Sequence, residues 1–220
     1  MLSERASVGL DVHARSVVAA AIDNQTGEVS RAVLAPEHDR VISWIQTLPG
    51  PVAVAYEAGP TGFGLARALQ AASIECVVAA PSKIPRPAGD RVKTDRRDAL
   101  LLARLLRLDE LVPVRVPTPA EETARDLVRA RDDVRGDLMR ARHRLSKLLL
   151  RHGRVYEAKA WTQAHDRWLR EQATGLDSAA LRLAFDTNYE TVLLTSARRD
   201  RLDVAIEQMA ADSPFTAVTR

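Results

Sequence analysis

From Ala120 to His152 the chain has no proline and a single glycine, Gly136. Seam positions there recur at spacings of four and three: Ala120, Ala124, Leu127, Arg131, Val134, Leu138, Ala141, Leu145, Leu148 and His152. This heptad seam, interrupted at Arg131 and closing on His152, predicts one helix long enough for a coiled coil or a helical hairpin. A second, more polar seam runs through Leu181, Phe185, Asn188, Val192, Leu202, Ile206 and Met209 and is expected to pack back on the first. The composition shifts at Pro117-Thr118-Pro119, so a boundary is placed there, with one domain over residues 1–117 and a helical region over 118–220.

Before that boundary the pattern is different. Ser7 to His13, Ser16 to Asp23 and Glu28 to Leu34 read as a three-strand meander with a turn at Asn24 to Gly27. Glu37 to Leu48 has helical spacing and ends at Pro49-Gly50-Pro51, and Val52 to Tyr56 reads as a buried strand. A helix from Phe63 to Ala72 and a short apolar strand from Ile74 to Ala79 follow. Pro81 to Val92 reads as a loop, and Thr94 is placed as the cap of a helix running to about Leu108. Alternating strands and helices imply an α/β sheet.

Two strands end on an acid. Asp11 closes Val8-Gly9-Leu10-Asp11 and Glu57 closes Val52-Ala53-Val54-Ala55-Tyr56-Glu57, so both carboxylates are expected at one edge of the sheet. Asp95 and Asp98, three apart, share one face of the next helix's first turn. Acids there also favour the helix dipole without any further role. The interleaving in Lys93-Thr94-Asp95-Arg96-Arg97-Asp98 favours metal and phosphate instead. Hard oxygen ligands select Mg²⁺ or Mn²⁺, and two such ions roughly 3.5–4 Å apart can clamp the attacking and leaving oxygens of a phosphodiester. His13 and Arg15, in the turn after Asp11, are read as solvated turn residues.

The formal charge is only +3, but it is unevenly spread. Pro81 to Arg151 holds 18 Lys and Arg against 11 Asp and Glu, and nearly all of the cations are arginine. Arginine forks suit phosphate, and a local basic surplus is the footprint of a nucleic-acid partner. Lys93, Arg96, Arg97, Arg135, Arg140, Arg142, Arg144, Lys147 and Arg151 are the candidate contacts. Trp161 and Trp168, seven apart, are expected to share a helix face and pack on a neighbour rather than stack on bases.

Three blocks in order, Gly9-Leu10-Asp11-Val12-His13, Tyr56-Glu57-Ala58-Gly59-Pro60-Thr61-Gly62 and Lys93-Thr94-Asp95-Arg96-Arg97-Asp98-Ala99, resemble the DEDD transposases of bacterial insertion sequences. In that family a RuvC-like domain is followed by a coiled coil and a serine-bearing domain. The resemblance implies an RNase H-like (RuvC-like) mixed sheet with flanking helices, followed by an all-α coiled coil or helical hairpin. It also implies a DEDD catalytic set of Asp11, Glu57, Asp95 and Asp98 holding Mg²⁺ or Mn²⁺, and strand exchange on DNA guided by a structured RNA. Self-association through the helical region is expected as well. The sequence stops at Arg220, where the family's serine-bearing domain would begin, so the reading assigns no catalytic serine and expects a fragment or truncated copy.

Other classes fit less well. Actin-like sugar kinases share the opening Gly9-Leu10-Asp11 but need further glycine-rich phosphate loops, and a compact RuvC-like resolvase would not carry the long seam. A non-catalytic chain that binds nucleic acid and self-associates is the remaining alternative. Cys76 is the only cysteine and no segment has signal-peptide or membrane-span character, so a cytoplasmic protein is expected.

Overall fold

The structure, a computed structural model, describes residues 6–85 and 95–211. The chain divides into two compact units, Met1–Pro117 and Thr118–Arg220.

The first unit is a five-stranded mixed sheet. Its strands are β1 (Ala6–Val12), β2 (Val17–Asp23), β3 (Val29–Leu34), β4 (Val52–Glu57) and β5 (Glu75–Ala79), in the spatial order β3-β2-β1-β4-β5. The meander β1–β2–β3 is antiparallel, while β4 and β5 continue the sheet parallel to β1. This is the sheet of an RNase H-like fold. Helices α1 (His38–Ile45) and α2 (Gly64–Ala71) supply Val41, Ile45, Leu65 and Leu69 to a core against Val8, Leu10, Val17, Ala19, Val54 and Tyr56. Strand periodicity sends the alternate residues to the opposite face, where Val18, Ala20, Ala53 and Ala55 meet α3 (Asp95–Arg107) through Ala99 and Leu106.

Gly9 faces α3. A Cβ at this position would stand inside the envelope of the Ala99 carbonyl oxygen and the Ala103 amide nitrogen, and 2.9 Å from Leu102 Cβ. The helix backbone thus lies directly on β1, and only glycine permits that approach. The small residues Ala20, Ala53 and Ala55 on the same face keep the neighbouring strands equally low under the helix.

The second unit is helical, with α4 (Pro119–Arg151), α5 (Gln163–Thr174) and α6 (Ala179–Ala211). Thr118 caps α4 in a complete capping box: its side chain accepts from Glu121 N–H, and Glu121 accepts from Thr118 N–H. The expected long seam is one helix. Leu138, Ala141, Leu145 and Leu148 are buried with Phe185 and Val192 of α6, so this seam is satisfied within the chain. Arg131, which interrupts the seam, donates from Nε to Asp203 of α6 at 2.7 Å. The polar residue of the second seam, Asn188, is satisfied on its own helix, donating from Nδ2 to the Ala184 carbonyl at 2.7 Å.

One expectation fails. Trp161 does not share a helix face with Trp168, because Thr162 caps α5 by accepting from His165 N–H and the helix begins after it. Trp161 takes a left-handed backbone conformation, φ 64°, and its ring meets His165 edge-on at 4.9 Å, while Trp168 stacks on the same imidazole at 5.6 Å. The capping role expected of Thr94 lies outside the described residues. No helix among the described residues is long and apolar enough to cross a membrane.

Candidate metal centre and nucleic-acid surface

β1 is buried through Leu10 and becomes half-buried at Asp11, where the strand leaves the core. In the parallel register Leu10 stands beside Tyr56, so Asp11 and Glu57 are the next residues along adjacent strands. Both have the parity of Gly9 and Ala55, which puts them on the α3 side of the sheet.

The close seat of α3 on Gly9 brings its first turn over this strand end. Asp11, His13 and Asp95 each offer a ligand atom within 4.8 Å of the others. His13 Nε2 lies 3.1 Å from Asp11 Oδ2 and 3.7 Å from Asp95 Oδ2. A tight turn, closed by His13 N–H donating to Ser16 O at 2.9 Å, holds the imidazole there. Glu57 and Asp98 lie outside this three-residue cluster, both half-buried.

Asp11 has its pKa pushed above the ordinary carboxylate range. Partial burial is the main cause; His13 opposes it, and the charges of Asp95 and Asp98 add to it. Asp98 is therefore within electrostatic reach of Asp11 although it is not in the tight cluster. Crowded carboxylates that resist ionisation are relieved by a cation. Two carboxylate oxygens and an imidazole nitrogen suit Mn²⁺, and Mg²⁺ where water completes the shell.

His13, expected as a solvated turn residue, is exposed in its turn and in addition faces both Asp11 and Asp95.

Arg96 is exposed on the first turn of α3; Arg97 is exposed and has a partner of its own. Lys93 lies outside the described residues. In the second unit Arg135, Arg140, Arg144, Lys147 and Arg151 are exposed on α4, with Arg140 paired to Asp137. Arg144, Lys147 and Arg151 join His143, Leu148 and Asn188 around a groove of about 340 Å³ that contains no carboxylate among its described lining residues. Arg142 turns inward instead, with its guanidinium carbon 4.8 Å from the centre of the Trp161 ring. Burial and the neighbouring Arg199 push its pKa down. Its Nε is buried with no partner among the described residues, so its position is set by packing on the ring.

Comparison with known proteins converges on one group. Residues 8–153 match the family described as the DEDD transposase of IS110 elements. Over 194 residues the chain is 43% identical to a transposase of Sinorhizobium fredii designated y4qE, covering 86% of this chain and 49% of that protein. Over 225 residues it is 32% identical to the transposase of insertion sequence IS1533 from Leptospira borgpetersenii, covering 97% of this chain and 63% of that protein. The chain therefore spans about half to two thirds of the length of these curated relatives.

Proposed function

Because the chain belongs to the IS110 family of DEDD transposases, we propose that its first unit holds divalent metal and acts on DNA phosphodiesters during transposition. The observation that carries this reading is the convergence of Asp11, His13 and Asp95 within 4.8 Å at the end of β1. Asp11 and Asp95 are the primary ligands in this proposal. Glu57, one strand away on the same face, and Asp98, one turn along α3, complete a four-carboxylate set able to share two ions. A bound Mg²⁺ or Mn²⁺ would supply Lewis acidity and an activated oxygen nucleophile.

The protein's own residues then position the reactants. Asp11 and Asp95 would hold the ion against rigid elements, since one lies near the end of a strand and the other opens a helix seated on that strand. His13 Nε2 is within hydrogen-bond distance of Asp11 Oδ2 and stands 3.7 Å from Asp95 Oδ2, so its ring lies between the two acids. Arg96 and Arg97 offer cationic forks beside the acids, where a phosphate would otherwise be repelled. The basic groove of α4, with Arg144, Lys147 and Arg151, binds nucleic-acid backbone, and a structured guide RNA is the proposed occupant. Leu183 and Leu194, more than two-fifths exposed on α6, support a proposed contact with a second copy of the chain.

Calorimetric titration with Mn²⁺ tests the metal reading. The parent chain should bind, and Asp11→Asn and Asp95→Asn should each bind at least about tenfold more weakly. Equal affinity in the parent and both variants would reduce these acids to a strand end and a helix cap.

A further inference from the structure

α3 packs on β1, β2 and β4, and among the described residues no element packs extensively on that face of the outer strand β3. The antiparallel register pairs Val18 with Val33 and Ala20 with Arg31. Val33 and Arg31 therefore share the face of Val18 and Ala20, the side on which α3 sits. Between the edge strand and the helix's first turn runs a groove of about 310 Å³, lined by Val18, Ala19, Arg31, Ala32, Val33 and Arg96. Val33 is 64% exposed within it, an unusual outlay of apolar surface for an edge strand.

Three features give this groove a direction and an occupant. Val18, on its inner wall, is the register partner of Asp11, so the groove starts about one strand spacing, ~4.8 Å, from the carboxylate cluster. Its charged lining groups are two guanidiniums, Arg31 and Arg96, with no carboxylate among the described lining residues. An acidic centre repels phosphate, so a strand reaching it gains from cations on its approach. The apolar side chains on the groove are those of Val18 and Val33, whereas Ala19 and Ala32 turn their methyl groups to the opposite face and line the floor with backbone.

We propose that this groove seats the DNA strand beside the scissile phosphate, with Arg31 and Arg96 on its phosphates and Val33 against its sugars. The proposal rests on the metal-dependent reading of the first unit. It assigns Arg31, on an edge strand with no acidic motif around it, a direct part in holding the substrate.

The test uses the full chain with Ca²⁺ in place of a catalytic ion and fluorescein-labelled DNA read by anisotropy. Arg31→Glu should weaken DNA binding at least tenfold, with Arg31→Lys close to the parent. Arg31→Ala should lower the slope of log affinity against log salt by about one. All three should titrate with Mn²⁺ as the parent does, so failure of the groove is separable from failure of the metal site. In a second measurement, Val33→Cys carrying a photo-cross-linker should label DNA and lose that label with Arg31→Glu. The label is placed in a Cys76→Ala background, since Cys76 is the one other thiol. Parent-like DNA affinity in Arg31→Glu, absence of a Val33 cross-link, or tighter Arg31-dependent binding of RNA of the same sequence would each overturn the assignment.

Discussion

Gly9 of β1 lies against the main-chain carbonyl of Ala99 in α3, with no room between them for a methyl group. That contact sets the height of the helix above the sheet, and through it the distance from Asp95 to Asp11. The glycine two residues before the first acid is therefore a spacer for the Asp11–His13–Asp95 cluster.

Gly9→Ala should cost about 1–3 kcal/mol, as overpacking of a buried contact does, because either the helix or the strand must give way. Mn²⁺ affinity should fall as well, since α3 would lift its first turn. Urea unfolding followed by metal titration of the surviving folded protein checks both. A destabilised variant with unchanged metal affinity would show that Asp95 does not depend on the seat of α3.

His13→Ala should lower Mn²⁺ affinity by about tenfold, the size expected when a ligand or its close support is lost. Asp11→Asn should raise the thermal midpoint by a few degrees in metal-free buffer. The sign follows from the raised pKa of Asp11: the folded state disfavours its ionised form, so at neutral pH that charge opposes folding and an amide does not. Scanning calorimetry with and without Mn²⁺ should show the order of stability reversing when metal is added.

Reversing charge at Arg144, Lys147 and Arg151 together should weaken nucleic-acid binding uniformly across sequences. The salt slope should drop by about two to three, one for each lost phosphate contact. Reversing Arg135 and Arg140 instead should do less, because Arg140 already answers Asp137. A triple variant that keeps the parent's slope would move the contact surface elsewhere.

His165 gives the second unit a pH dependence. Burial among Tyr156, Trp161 and Trp168 is the main cause holding its pKa below the ordinary histidine value of 6.5; nearby Arg142 also lowers it, and Asp166 opposes. Its Nδ1 accepts from Trp161 N–H at 3.1 Å, a bond made by the neutral ring. The unfolded chain therefore takes up the proton first. Stability is full above about pH 6.5 and declines as pH falls below it, by at most about 1.4 kcal/mol per pH unit. Thermal midpoints between pH 7 and 5 should fall more steeply for the parent than for His165→Gln.

Much of this was legible in the sequence where a residue broke its own pattern. A charge closing an apolar strand marked Asp11 and Glu57, and an arginine in a heptad seam marked the place where Asp203 reaches across from α6. Residues whose role depends on a partner element were not legible. Arg31 alternates like any edge-strand residue, and only the place of α3's first turn puts it on one groove with Arg96. Arg142 reads as one more cation on a basic helix until Trp161 folds back over it. His13 needed the tight turn to Ser16 before its ring could be placed between two acids.

The two sheet acids stand where their strands have left the core, so neither fills the apolar interior of the fold that carries it. Such an arrangement separates inheritance of shape from inheritance of chemistry. A copy of this gene that drifts to Asn at position 11 and Gln at position 57 would still yield a folded protein with its basic surfaces intact. Under the proposed function, such a copy would still occupy nucleic acid while lacking the metal ligands, and so would act as a competitor of copies that retain them.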